Sequence, residues 1–141
     1  MASRLFSMRI TEALASELEA RAQRTGESKS RLAHRLLEEG LRMEAHPGIV
    51  FRPGPTGRRA AVVGGPDVWE IARIPINTGT TGDEAVRAIV EHMDLTPMQA
   101  RAAVNYYAAY PEEIDARLRS NDELAERMEA AWLREQALLR R

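Results

Sequence analysis

The segment from Arg4 to Ile10 alternates with a period of two: Phe6, Met8 and Ile10 fall on one side, Leu5, Ser7 and Arg9 on the other. Such alternation predicts a strand with one apolar face. Everything else in the first 44 residues reads as helix. Thr11 is suited to cap a helix that carries Leu14, Leu18 and Ala22 on one face, and Thr25-Gly26 ends it. Ser28 is suited to cap a second helix bearing Leu32, Leu36, Leu37 and Leu41, running to about Met43. The strand therefore has no partner in its own section. A lone strand leaves a row of backbone N–H and C=O groups and an apolar face uncovered. A second copy solves both problems, if two strands pair antiparallel about a two-fold axis and the helices cover one face. The chain is thus expected to be an obligate homodimer, or a higher even oligomer.

The order Leu5-Phe6-Ser7-Met8-Arg9-Ile10-Thr11, a helix, Thr25-Gly26-Glu27-Ser28-Lys29-Ser30, then a second helix resembles the ribbon-helix-helix (Arc/MetJ/CopG) family over residues 3–44. The resemblance implies a two-stranded ribbon inserted into the major groove of double-stranded DNA. Leu5, Ser7 and Arg9 would then face base edges, and Ser28, Lys29 and Ser30 at the start of the second helix would hold a phosphate. The chemistry suits those roles. Arg9 can donate two hydrogen bonds to guanine, Ser7 can contact several bases, and Leu5 suits a thymine methyl. Free N–H groups at a helix start attract anions, and Lys29 adds charge. The competing reading is a ribbon whose outer face is merely solvated.

Residues 45–82 hold 5 of the 7 prolines and 7 of the 9 glycines, a stretch of turns and short elements. Ile49-Val50-Phe51-Arg52 and Arg59-Ala60-Ala61-Val62-Val63 flank a turn-rich tip and predict a hairpin. Gly65-Pro66 is expected to open a short helix to about Ile74. Thr81 and Glu84 predict a capping box for a helix over 83–93, and Thr96-Pro97-x-Gln99 caps one over 97–109. Two helices joined by so short a turn, beside a hairpin, read as a winged helix-turn-helix. Residues 46–118 also resemble a small bacterial winged-helix-like domain described as a VapB-type antitoxin helix-turn-helix. The resemblance rests on His46-Pro47-Gly48-Ile49, Gly65-Pro66-Asp67-Val68-Trp69-Glu70-Ile71 and Leu95-Thr96-Pro97-Met98-Gln99-Ala100-Arg101 with Tyr106-Tyr107, and departs from that pattern between Ile49 and Gly65 and from Arg73 to Thr81. A second DNA contact would use Arg52, Arg58 and Arg59 on the hairpin and Gln99, Arg101 and Asn105 on the last helix. The alternative is that these are surface residues of an assembly or partner-binding domain.

Pro111 to Leu118 is expected to form one short helix, and Ser120-x-x-Glu123 to cap a last one to about Leu139. Leu124, Met128 and Trp132 lie on an apolar stripe of that last helix. The stripe either docks on its own domain or binds another chain.

Charge is distributed unevenly. The net charge of −1 divides into +1 for residues 1–44, +2 for 45–78 and −4 for 79–141. The chain lacks cysteine, which excludes disulfides and thiolate metal sites. The three histidines, His34, His46 and His92, lie on separate elements, so no metal or cofactor is expected. No nucleophile sits beside a base, and no enzyme is expected. No apolar run reaches the length of a membrane span, so no membrane partner is expected and the location is expected to be the bacterial cytoplasm, on the nucleoid when DNA is bound.

These observations imply a mainly α protein: a ribbon-helix-helix swapped dimer over 1–44, a winged helix-turn-helix-like domain over 45–118, and a C-terminal amphipathic helix over 119–141. The expected function is sequence-specific repression of its own operon, as the antitoxin of a type II toxin-antitoxin pair, with a PIN-like protein as one candidate for the toxin. The rivals are a stand-alone transcription regulator and an interaction scaffold that binds no specific DNA.

Overall fold

A computed structural model describes residues 2–140. The chain is mainly helical, with one two-stranded antiparallel sheet. It divides into two compact units, the first ending at Glu44 and the second beginning at Ala45. No helix among the described residues is long and apolar enough to cross a membrane.

The first unit holds α1 (Glu12–Thr25) and the body of α2 (Lys29–Ala45). Thr11 starts α1 because its hydroxyl accepts from the Leu14 N–H at 3.2 Å, filling one of the bonds a helix start lacks. Gly26 stops it in the left-handed conformation, φ 72°, which costs glycine little. Ser28 repeats the Thr11 device for α2, accepting from Arg31 N–H at 3.2 Å. Arg35 holds the turn between the two helices onto α2, donating to both carboxylate oxygens of Glu27 at 3.2 and 2.8 Å and lying 3.7 Å from Glu39. The Arg35 guanidinium holds the Glu27 carboxyl below its usual range.

This unit has almost no interior. Among its apolar side chains only Ala22 and Leu32 are buried, while Leu14, Leu36, Leu37, Leu41 and Met43 stay open. Residues 2–11 are all exposed and carry no regular secondary structure. The sequence predicts a strand over Arg4–Ile10; the single chain does not form one. The reason is physical: a strand exists by pairing, and the described residues of one chain offer this segment no partner strand.

The second unit begins with the hairpin β1 (Ile49–Arg52) and β2 (Arg59–Val62), in the register Ile49 opposite Val62 and Arg52 opposite Arg59. Four helices follow: α3 (Val68–Thr78), α4 (Gly82–Met93), α5 (Pro97–Ala109) and α6 (Pro111–Leu139). One core joins Ile49 and Val62 of the hairpin with Val68, Ile71, Ile89, Ala100, Ala103, Tyr106, Ile114 and Leu118. Small alanines on α5 let it approach β2 and α3 closely, while Tyr106, fully buried, fills the centre. Its hydroxyl donates to Glu113 at 2.9 Å, so the buried phenol is not left unpaired.

Three local expectations are corrected. α3 starts after Asp67 rather than at Pro66, and it continues past Ile74 through Pro75 to Thr78. Proline removes one N–H near the end of the helix, and Gly79, φ 66°, closes the helix by donating to the Pro75 carbonyl. Thr81 precedes α4 in extended conformation but makes no side-chain cap bond, so the Thr81–Glu84 box is not formed. The segment 111–139 is one helix of 29 residues, not two. Ser120 therefore lies in its interior and caps nothing. Nothing between Leu118 and Leu124 breaks a helix, since no proline or glycine occurs there. The box at α5 does form: Thr96 accepts from Gln99 N–H at 3.2 Å, and Thr96 N–H donates to Gln99 at 2.9 Å.

Candidate nucleic-acid interface

The candidate base-reading residues share one property in the single chain: each is open to solvent. Leu5 is 94% exposed, and Ser7 and Arg9 are exposed beside it. Arg9 makes no ion pair or hydrogen bond among the described residues. Phe6, Met8 and Ile10, on the alternate positions, are exposed too, at 73, 62 and 41%. Three large apolar side chains at spacing two on an open segment are costly to leave in water, about 1.5–3 kcal/mol each relative to burial. A shallow groove lies at their foot, lined by Ile10, Ala15, Leu18 and Ala33 and bordered by Lys29 and Ser30.

The phosphate-binding candidates stand at the start of α2. The Ser28 hydroxyl is used as the helix cap, while Lys29 and Ser30 are exposed. Lys29 reaches Glu19 at 3.3 Å, an open pair with both side chains more than half exposed. Such surface pairs contribute about 0–1 kcal/mol, so Lys29 exchanges Glu19 for a phosphate at small cost.

The second set is arranged differently. Arg52 donates to the Val62 carbonyl at 3.0 Å and also to that of Gly65. Arg58 donates to Phe51 at 3.3 Å. Arg59 is ion-paired with buried Asp67, which also accepts from the Trp69 indole at 3.2 Å. Gln99 completes the α5 cap and donates to the Val63 carbonyl at 3.1 Å, linking α5 to the end of the hairpin. Arg101 meets Asp83 of α4 at 3.2 Å. Asn105 is exposed. Five of these six side chains are therefore tied to their own unit. Arg59 and Gln99 tie the hairpin to α3 and α5, Arg52 and Arg58 bond within the hairpin and the turn after it, and Arg101 links α5 to α4.

Sequence reasoning missed the residues that do this bracing from the other side. Asp67 anchors both Arg59 and Trp69. Arg117 of α6 reaches the hairpin tip, donating to the Arg58 carbonyl at 2.7 Å and to Thr56. Tyr107 of α5 donates to Asp115 of α6 at 2.6 Å, and that carboxylate, with partial burial, pushes the phenol up to about 12.

The C-terminal candidates Leu124, Met128 and Trp132 are all exposed on α6, at 48, 64 and 56%. Leu124 borders a cleft that it shares with Trp69 and Glu70 of its own unit, and beyond Leu118 no described residue of α6 is buried. Compared with known proteins, the chain matches no family model, no curated protein and no solved structure.

Proposed function

We propose that this chain is a sequence-specific DNA-binding transcriptional repressor that works as a dimer of ribbon-helix-helix type. In this reading the segments Arg4–Ile10 of two copies pair into a ribbon. Phe6, Met8 and Ile10 turn inward with Leu14, Leu36, Leu37 and Leu41, while Leu5, Ser7 and Arg9 turn outward to base edges. The α2 N-terminus, with Ser28, Lys29 and Ser30, takes a phosphate. One observation carries the reading. The first unit buries only Ala22 and Leu32 of its apolar side chains, and it leaves an alternating apolar strand segment bare. A unit so small and so poorly filled gains its core from a second copy.

The hairpin and the α4–α5 pair read as a winged helix-turn-helix, but Arg52, Arg58, Arg59, Gln99 and Arg101 spend their polar atoms within the unit. We therefore give this domain an assembly role rather than a second DNA contact. A second reading, the antitoxin of a PIN-like toxin, is favoured by the bare apolar face of distal α6, which a partner protein would cover.

Titration of the promoter DNA upstream of the chain's own gene tests the proposal. The full chain is expected to bind it in preference to random DNA. A chain lacking residues 1–44 is expected to lose this binding. Unchanged affinity after the deletion would move the DNA site to the second unit and refute the assignment.

A further inference from the structure

The distal part of α6 carries a seam whose composition singles out one occupant. Leu124, Ala131 and Leu138 recur every seven residues, interleaved with Met128 and Glu135, and Ile114 and Asn121 continue the line of Met128 toward the start of the helix. This is the alternating three-four spacing of a helix that packs along another helix. Ile114 and Leu118 spend the seam's first turns in the core of the second unit. From Leu124 onward the same face is bare: Leu124, Met128, Trp132, Leu138 and Leu139 are 48 to 71% exposed. Together they leave on the order of 600 Å² open, as large as the largest patch of an ordinary monomer.

Charge along the segment is polarised. Residues 120–130 carry Asp122, Glu123, Glu126 and Glu129 against Arg127, a net of −3, while residues 131–141 carry Arg134, Arg140 and Arg141 against Glu135, a net of +2. Two such segments side by side in parallel set like against like. Antiparallel, each acidic half lies against a basic half.

We propose that distal α6 pairs antiparallel with the same segment of a second copy of this chain. The register that satisfies the sequence centres on Ala131. Leu124 then lies opposite the second copy's Leu138 and Ala131 opposite the second copy's Ala131, with Met128 beside them and Trp132 at the edge of the contact. Glu135, the one charged residue on the exposed seam, meets the second copy's Arg127, and by symmetry the pair occurs twice. Both residues are exposed in the single chain. A polar pair at a seam position fixes register at some cost in stability. The face from each copy doubles to about 1,200 Å², the lower bound of a specific interface. The contact is isologous, so taken by itself it closes on two copies.

The absence of cysteine allows a direct test on the full chain without DNA. Ala131→Cys is expected to form an interchain disulfide quickly under mild oxidation. Leu138→Cys alone is expected to form little, whereas an equal mixture of Leu124→Cys and Leu138→Cys chains is expected to cross-link to each other. On the Ala131→Cys background, Arg127→Glu is expected to slow cross-linking at least tenfold, and adding Glu135→Arg to restore it. These are surface changes that leave the fold intact. Cross-linking of Leu138→Cys with itself would mean parallel pairing and would overturn the proposal. No cross-link from Ala131→Cys in a fully helical protein would overturn it too, and would leave the face to a foreign protein. A rate insensitive to Arg127→Glu would refute the register.

Discussion

Arginine does two kinds of work in this chain, and the difference lies in what each side chain touches. Arg9 makes no hydrogen bond or ion pair among the described residues, whereas Arg59 is held by buried Asp67. Under the proposed function, Arg9→Ala removes one base contact per copy, about 1–3 kcal/mol each, and relaxes preference at one guanine. Lys29→Ala weakens binding to specific and random DNA alike and flattens the salt dependence. Binding titrations at several salt concentrations separate the two, and identical profiles would refute the division of labour. Arg59→Ala is expected to behave oppositely: lower thermal stability, by about 3–5 kcal/mol if Asp67 is left buried and unpaired, with operator affinity of the folded protein unchanged. Loss of affinity without loss of stability would return Arg59 to the DNA. Neither role is legible from residue type, because the pairings that decide it span the hairpin, α3 and α6. Arg117 finds Arg58 and Thr56 across about sixty residues, and no local pattern announces that.

Some capped helix boundaries are readable in the sequence, while the Asp67–Glu70 box that starts α3 and the left-handed Gly79 that ends it escape the reading. Thr11, Gly26, Ser28 and the Thr96–Gln99 box bound α1, α2 and α5 where their chemistry says they should. Ser120-x-x-Glu123 has the same letters and caps nothing, because a cap needs an extended residue before it and α6 supplies a helical one. α3 runs on through Pro75, although proline there has no N–H to give the carbonyl one turn back, and the helix ends only at the left-handed Gly79. The joint between α5 and α6 depends on Tyr107 and Asp115. There the folded pKa of the phenol is raised from its ordinary value of 10.0 to about 12. Its contribution to stability is therefore complete below pH 10 and is lost as pH rises toward 12. An ultraviolet titration is expected to show a tyrosine ionising near pH 12 that disappears in Tyr107→Phe. A Tyr107→Phe profile identical to that of the parent chain would show that the Asp115 bond does not hold the phenol.

At the scale of the whole molecule, the two units differ in kind. The second has a filled core reaching from the hairpin to α6, centred on Tyr106. The first has helices, caps and an ion-pair clasp but almost nothing buried. The alternation of Leu5–Ile10 is legible in the sequence, but the strand it predicts is not formed in the single chain, whose described residues offer it no partner strand. Folding of the first unit is accordingly expected to depend on protein concentration, with the midpoint of the helical circular-dichroism transition rising across a hundredfold concentration range. A midpoint independent of concentration would mean that the unit is stable alone.

The functional reading of the first unit rests on the proposed pairing of Arg4–Ile10 between two copies. Amide hydrogen exchange across these residues, measured as the protein is taken from dilute to concentrated solution, addresses it most directly. The account predicts fast exchange in the monomer and alternating protection through Leu5–Ile10 that appears with the dimer. A dimer in which these amides still exchange as freely as an unfolded segment would contradict it.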